Sequence, residues 1–247
     1  MKILVTGGSG RLGRELLKVY PDALHPTRKE LDITSPTSVF TYLSETKPDV
    51  VIHAAALTNV QLCEDDKKAA YDNNVKGTAN LVDALTKIKP DSYFVLISTA
   101  CVFQGDRGNY TEKDAPKPKN YYGFTKKCAE DIVLESPLKH LVVRTNFVAF
   151  APWEHPKAFT DRFGTYLFAQ DVACAVKELI AQGLVGIVHI LGDKRMSMYE
   201  LAKLTTPNVQ PMTLEDYHGS AQLTVDMTLC STRIKPYKIG WSINAHK

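Results

Sequence analysis

No apolar run in this sequence approaches the roughly 20 residues that a bilayer-spanning helix needs, so helical membrane spans are excluded. The opening Met1-Lys2-Ile3-Leu4-Val5 reaches Gly7-Gly8 too soon to hold the apolar core of a secretory signal, and export is not expected. Cysteine is sparse and unpatterned. Cys63, Cys101, Cys128, Cys174 and Cys230 are odd in number and stand singly, with no CxxC pair and no histidine at metal-ligand spacing. They read as reduced thiols, which points to the cytoplasm, and no metal site is expected. One-signed charge is lacking as well. A net charge of +3 comes with no basic stripe and no RNA-binding aromatic motif, which argues against nucleic acid as a partner. What remains is ordinary globular composition, 44% hydrophobic and 23% charged over 247 residues. A chain of this length buries roughly 70–75% of its extended surface, so its core needs no disulfide or metal staples.

Short apolar runs rich in β-branched residues alternate with amphipathic stretches. Ile3 to Thr6, Val50 to Ala54, Tyr93 to Ser98, Leu141 to Arg144 and Gly186 to Leu191 read as buried strands. Glu15 to Tyr20, Thr37 to Glu45, Ala69 to Lys87, Tyr122 to Glu135 and Asp171 to Ala181 carry helical spacing. This βαβα alternation predicts an α/β fold, a doubly wound parallel sheet of the Rossmann type. From about Phe147 the pattern loosens, with Pro152, Pro156, Pro207 and Pro211 in the remaining half. The expected division is a dinucleotide-binding domain over 1–146, to which 169–191 returns, and a small C-terminal substrate-binding lobe from 147–168 and 192–247.

The first strand runs into Thr6-Gly7-Gly8-Ser9-Gly10-Arg11-Leu12-Gly13, a GxxGxxG turn that opens a helix. Glycines there allow a tight turn and close backbone approach to a pyrophosphate, whose charge the helix N-terminal amides hold. The second strand is expected at Ala23 to Thr27 and is followed by Arg28 and Lys29, donors suited to the 2'-phosphate of NADP. Glu30 and Asp32 lie just beyond and suit the ribose 2'-hydroxyl of NAD, so NADP(H) is favoured and NAD(H) stays open.

Tyr122-Gly123-Phe124-Thr125-Lys126 places a phenol and an ammonium one helical turn apart. Thr99 ends an apolar strand, and the carboxyl ends of strands are where open α/β sheets bind ligands. The chemistry implied is reduction of a carbonyl: Thr99 hydrogen-bonds its oxygen, Tyr122 gives a proton, and a nicotinamide gives hydride. Lys126 is expected to lower the phenol's pKa by its charge.

These motifs resemble the extended short-chain dehydrogenase/reductase superfamily and, within it, the dTDP-4-dehydrorhamnose reductase family. The likeness includes the Thr6-to-Gly13 turn, Leu31-Asp32-Ile33-Thr34, Pro48 to Ala56, and Asn74-Val75-Lys76-Gly77-Thr78. It continues through Ser98-Thr99, Val102-Phe103, Asn120-Tyr121-Tyr122-Gly123 with Lys126, Arg144-Thr145 and Phe163-Gly164-Thr165. The resemblance implies that Gly7, Gly10, Arg11, Leu12 and Gly13 line a pyrophosphate. It further implies Asp32 and Ile33 at the adenine, Ala54, Ala55 and Ala56 along the middle of the cofactor, and Thr99, Tyr122 and Lys126 as the catalytic set. Asn74 is implied as a buttress, and for His53 both a strand-end residue pointing into the sheet and a catalytic role stay open. Where these reductases carry Asp and Tyr after the catalytic Thr, and Trp later, this chain has Ala100, Cys101 and Phe147, which the resemblance places against the sugar.

The function expected is NAD(P)H-dependent reduction of a 4-keto-6-deoxy nucleotide sugar, with a homodimer left open. Two alternatives share the motifs: a nucleotide-sugar epimerase or dehydratase that recycles its nicotinamide, and a non-catalytic subunit resembling the regulatory partner of methionine adenosyltransferase. Ala100 and Cys101, smaller and less polar than Asp and Tyr, predict altered substrate selectivity.

Overall fold

A computed structural model describes residues 1–244. Five strands, β1 (Ile3–Thr6), β2 (Val50–His53), β3 (Tyr93–Thr99), β4 (Lys139–Thr145) and a later one over Gly186–Ile190, pair in parallel in that order. Between them come α1 (Arg11–Val19), α2 (Pro36–Thr46), α3 (Val60–Asp65), α4 (Lys67–Tyr71), α5 (Gly77–Ile88) and α6 (Tyr121–Glu135). The strands are apolar on both faces, and their period of two divides the core. Ile3, Val5, Val50, Ile52, Val95, Ile97, Leu141 and Val143 face one cluster; Leu4, Val51, Phe94, Leu96 and Val142 face the other. Helix α1 packs on the first face, and α2, α5 and α6 cover the second.

The second half continues with β5 (Phe147–Val148), β6 (Lys157–Phe159), β7 (Phe163–Gly164), β8 (Leu167–Phe168), α7 (Ala169–Ala181) and β9 (Gly186–Ile190). Then follow β10 (Met196–Ser197), α8 (Met198–Lys203) and β11 (Gln210–Met212). Helix α7 lies beside α1, and β9 completes the main sheet. The other strands make three two-stranded pairs, β5 with β8, β6 with β11 and β7 with β10. The tail then turns back: Ile234, Tyr237, Ile239 and Trp241 pack on the α1/α7 side of the sheet. There Asp171 accepts hydrogen bonds from the Gly240 amide at 2.7 Å and the Ser242 hydroxyl at 2.7 Å. Of the expected 192–247 segment, 245–247 lie outside the described residues.

Two elements differ from expectation. The strand expected at Ala23 to Thr27 reduces to one bridge, Leu24 against Leu4. Pro26 has no amide to continue the ladder, and the Glu30 carboxylate accepts from both the amide and the hydroxyl of Thr27, closing a turn instead. The helix expected from Ala69 to Lys87 is interrupted by a π-helical turn over Asp72–Lys76, which separates α4 from α5. Among the described residues no helix is long and apolar enough to cross a membrane, and no cluster of His, Cys, Asp and Glu could hold a metal ion.

Candidate active site

The β1–α1 turn is built by contacts that exclude side chains. Gly7 has φ of +73°, and a Cβ there would sit 2.7 Å from the Ala55 amide nitrogen at the exit of β2. A Cβ on Gly13 would fall 2.1 Å from the Gly7 carbonyl oxygen, so α1 closes directly onto the turn. The Gly10 amide donates to the Gly7 carbonyl at 2.9 Å. The result is a bare backbone wall at a helix N-terminus, the geometry that accommodates a pyrophosphate.

That wall forms one side of a cavity of about 730 Å³. Gly7, Gly10, Arg11, Leu12, Gly13, Ala54 and Ala56 line it together with Thr99, Tyr122, Lys126 and Phe147. Residues about 110 positions apart in the chain therefore meet because β1 and β3 end at the same edge of a parallel sheet and α6 begins there. Asn120 caps α6 by accepting from the Gly123 amide at 2.9 Å. Gly123 lets the helix start against the chain after β3, since a Cβ would lie 2.1 Å from the Cys101 carbonyl oxygen.

Lys126 is almost wholly buried, and burial pulls its ammonium down to about 8, with the Glu130 carboxylate opposing. Glu130 is itself clamped: Arg144 donates to it from Nε at 3.0 Å and from Nη2 at 2.7 Å, and Ser98 donates its hydroxyl. The expected lowering of the Tyr122 phenol by Lys126 is not what the fold produces. Burial pushes that phenol up, the nearby thiols reinforce the rise, and a hydrogen bond with Thr99 only partly opposes it. Tyr122 is thus a protonated donor at neutral pH.

The supports lie behind these groups. Asn74 sits in the π-helical turn, a distortion frequent at functional sites. Its Oδ1 accepts from the Leu57 amide at 2.7 Å, and its Nδ2 donates to the Leu57 carbonyl at 3.0 Å and to Thr125 Oγ1 at 2.9 Å. It ties the loop after β2 to α6. His53 points into the sheet, with Nδ1 hydrogen-bonded to Thr6 Oγ1 at 2.7 Å and Nε2 to Thr78 Oγ1 at 3.1 Å. Burial drives its pKa down to about 3, which removes it from acid–base work near neutrality.

Other expected residues do not line the cavity. Ala100 and Cys101 turn into a core cluster with Phe103, Tyr110 and Leu229 behind the cavity-lining Tyr122 and Met227, and Cys101 Sγ rests 3.5 Å from Met227 Sδ. The cause is a 3₁₀ turn over Ala100–Val102, in which Thr99 Oγ1 accepts from the Cys101 amide at 3.1 Å. Ile33 is held beneath Gly77, whose absent Cβ would lie 2.8 Å from Ile33 Cδ1. The Asp32 carboxylate is engaged by the Thr34 amide and hydroxyl and lies 3.8 Å from Arg28, itself an exposed side chain. Ala55 donates its amide to Thr6 Oγ1 at 3.4 Å and packs against the second core cluster.

The cavity's far side is made by residues that the sequence did not assign to the site: Thr145, Asn146, Arg162, Tyr166, Met198 and Met227. They come from four separate segments, and no local pattern links them. Only Thr145, at the end of β4, carries the strand-end signal that located Thr99. The Trp153-to-His155 loop closes the rim, where Glu154 pairs with Arg11 of the glycine turn.

Comparison with known proteins gives concordant results. The family described as RmlD substrate binding domain matches residues 1–234. The chain is 29% identical over 273 residues to dTDP-4-dehydrorhamnose reductase of Aggregatibacter actinomycetemcomitans, spanning 95% of this chain and 92% of that protein. It is 26% identical over 282 residues to methionine adenosyltransferase 2 subunit beta of Rattus norvegicus, spanning 97% of this chain and 83% of the other. Among solved structures, dTDP-4-dehydrorhamnose reductase of Bacillus anthracis in complex with NADP superposes with a TM-score of 0.85 at 28% identity, covering 93% of this chain and 91% of that one.

Proposed function

Because the chain belongs to the RmlD substrate binding domain family, we propose that it is an NADPH-dependent reductase of a nucleotide-linked 4-keto-6-deoxy sugar. The observation that carries this reading is the meeting of Thr99, Tyr122 and Lys126 with the bare Gly7–Gly13 turn on one cavity. The glycine wall, which any Cβ at Gly7 or Gly13 would obstruct, fits the pyrophosphate of NADPH, and its relative from Bacillus anthracis is complexed with NADP. When bound, NADPH supplies the hydride.

The chain's own residues then have distinct tasks. Thr99 Oγ1 hydrogen-bonds the substrate carbonyl and orients it. Tyr122, whose phenol is held protonated by burial, donates its proton to that oxygen as negative charge develops there. Lys126, cationic below a pKa of about 8 and lining the same cavity, is assigned to the ribose hydroxyls of the bound nucleotide. Glu130, held by Arg144, favours the charged form of that lysine, and Asn74 fixes the approach of the loop after β2. We assign the sugar end to the lobe built from 147–168 and the chain after 192, with Phe147 at its border. Arg28 is assigned to the NADP 2'-phosphate.

The test is loss of NADPH absorbance on addition of a panel of nucleotide-4-ketosugars. Stoichiometric consumption with one of them supports the reductase. Conversion without net consumption would replace it by an epimerase or dehydratase that recycles the nicotinamide. Silence across the panel, with NADPH still bound, would shift the reading to a non-catalytic subunit; the Rattus norvegicus relative is named as a subunit of methionine adenosyltransferase 2.

A further inference from the structure

The reductase chemistry leaves two buried polar side chains on the lobe side of the cavity without a task. Arg162, between β6 and β7, is 9% exposed and lines the cavity. Its Nε donates to the Thr224 carbonyl at 3.1 Å, its Nη2 lies 3.2 Å from Thr224 Oγ1, and its Nη1 faces the Met198 thioether at 3.5 Å, a weak acceptor. The carboxylates nearby are engaged elsewhere. Asp161 accepts from the Leu214 amide with both oxygens, and Asp226 is paired with Arg195 at 2.9 Å. Among the described residues Arg162 has no ion-pair partner, whereas the other deeply buried arginine, Arg144, is clamped by Glu130.

Tyr166 is 5% exposed and lines the same cavity, and its hydroxyl has no hydrogen-bond partner among the described residues. Thr145 Oγ1, at the cavity end of β4, is in the same condition. The Tyr166 ring is fixed by backbone: a Cβ on Gly164 would fall 2.6 Å from its Cζ. Burial raises the phenol to about 12 while Arg162 pulls it back, so the two groups sense each other and the hydroxyl keeps its proton. A buried cation without counter-charge beside an unused donor costs stability, and such arrangements persist where a ligand completes them.

We infer that Arg162 and Tyr166 form an oxyanion-binding subsite within the cavity, selecting substrates that carry a phosphoryl or carboxylate group. The inference rests on the reductase reading in taking this ligand to be the substrate. Two sources share the chemistry: the diphosphate of a nucleotide sugar, and a carboxylate on the sugar ring.

The experiment is calorimetric titration of the full chain, saturated with NADP⁺, with a nucleoside diphosphate and separately with glucuronate. The wild-type protein should bind one of them, and which one identifies the source. Arg162→Met should weaken that binding by about tenfold or more, Arg162→Lys should retain part of it, and Tyr166→Phe should weaken it by about threefold. Undiminished NADP⁺ affinity shows that each variant is folded. Should Arg162→Met lose NADP⁺ binding too, Tyr166→Phe decides, since it keeps the ring and removes only the hydroxyl. Wild-type affinity for both anions in the variants, or no anion binding in the wild type, overturns the inference. Anion binding that depends on Arg162, without NADPH consumption on any ketosugar, keeps the subsite and removes the reductase. NADPH consumption with an unchanged KM in Arg162→Met keeps the reductase and removes the subsite.

Discussion

Replacing Lys126 by Met should make the protein more stable while depriving it of its function. The side chain is 2% exposed, and burial lowers its pKa from 10.5 to about 8. Such a displacement corresponds to about 3 kcal/mol by which the folded state disfavours the charged ammonium at pH 7. Met fills much of the same volume with no charge to desolvate, so unfolding by urea at pH 7 should show a gain approaching that figure, equivalent to roughly 6–12 °C in Tm for a chain of this size. The gain should depend on pH in a defined direction. Between about 8 and 10.5 the unfolded wild-type chain keeps a proton that the folded one has released, so wild-type stability rises with pH across this window. The Met variant has no such proton. By pH 9.5 the gap should have narrowed by about 2 kcal/mol. NADPH affinity and turnover should both fall. A Met variant less stable than wild type at pH 7, or a gap of equal size at both pH values, would refute the reasoning that desolvation dominates at Lys126.

Tyr122→Phe should leave NADPH affinity near wild type and lower kcat by about a hundredfold or more, read from single-turnover absorbance on the ketosugar substrate. Arg144→Met should cost about 3–5 kcal/mol in urea denaturation, because Glu130, 1% exposed, loses its counter-charge. The double variant with Glu130→Gln should recover much of that loss. Arg28→Ala should raise the KM for NADPH and leave that for NADH nearly unchanged; equal effects on both would show that its exposed guanidinium does not read the 2'-phosphate.

The expected five strands lie in the sheet because their signals are local. Ile3 to Thr6 or Tyr93 to Ser98 are apolar on both faces, and only a sheet covered by helices on both sides can bury them. The glycine turn was legible for the same reason: the positive φ at Gly7 and the close approach of Gly13 to Gly7 are demands met within a few residues of chain. Ala23 to Thr27 misled because a strand needs a partner edge as well as propensity, and Pro26 with the Thr27–Glu30 turn ends the pairing after Leu24.

What the sequence by itself determined was therefore the layer architecture, the place of the glycine turn, and the positions of Thr99 at the end of β3 and of Tyr122 and Lys126 in α6, which line one cavity. Tertiary structure decided everything that depends on environment or on segments distant in the chain. Burial sends the Tyr122 phenol up when proximity to a lysine alone predicts down, and the 3₁₀ turn after β3 rotates Ala100 and Cys101 out of the cavity. Arg162, Tyr166, Met198 and Met227 replace them as its far wall. The physical reason is one of range. Backbone propensity and hydrophobic period act over a few residues and can be read along a chain, whereas desolvation and the convergence of side chains exist only once the chain has closed around them.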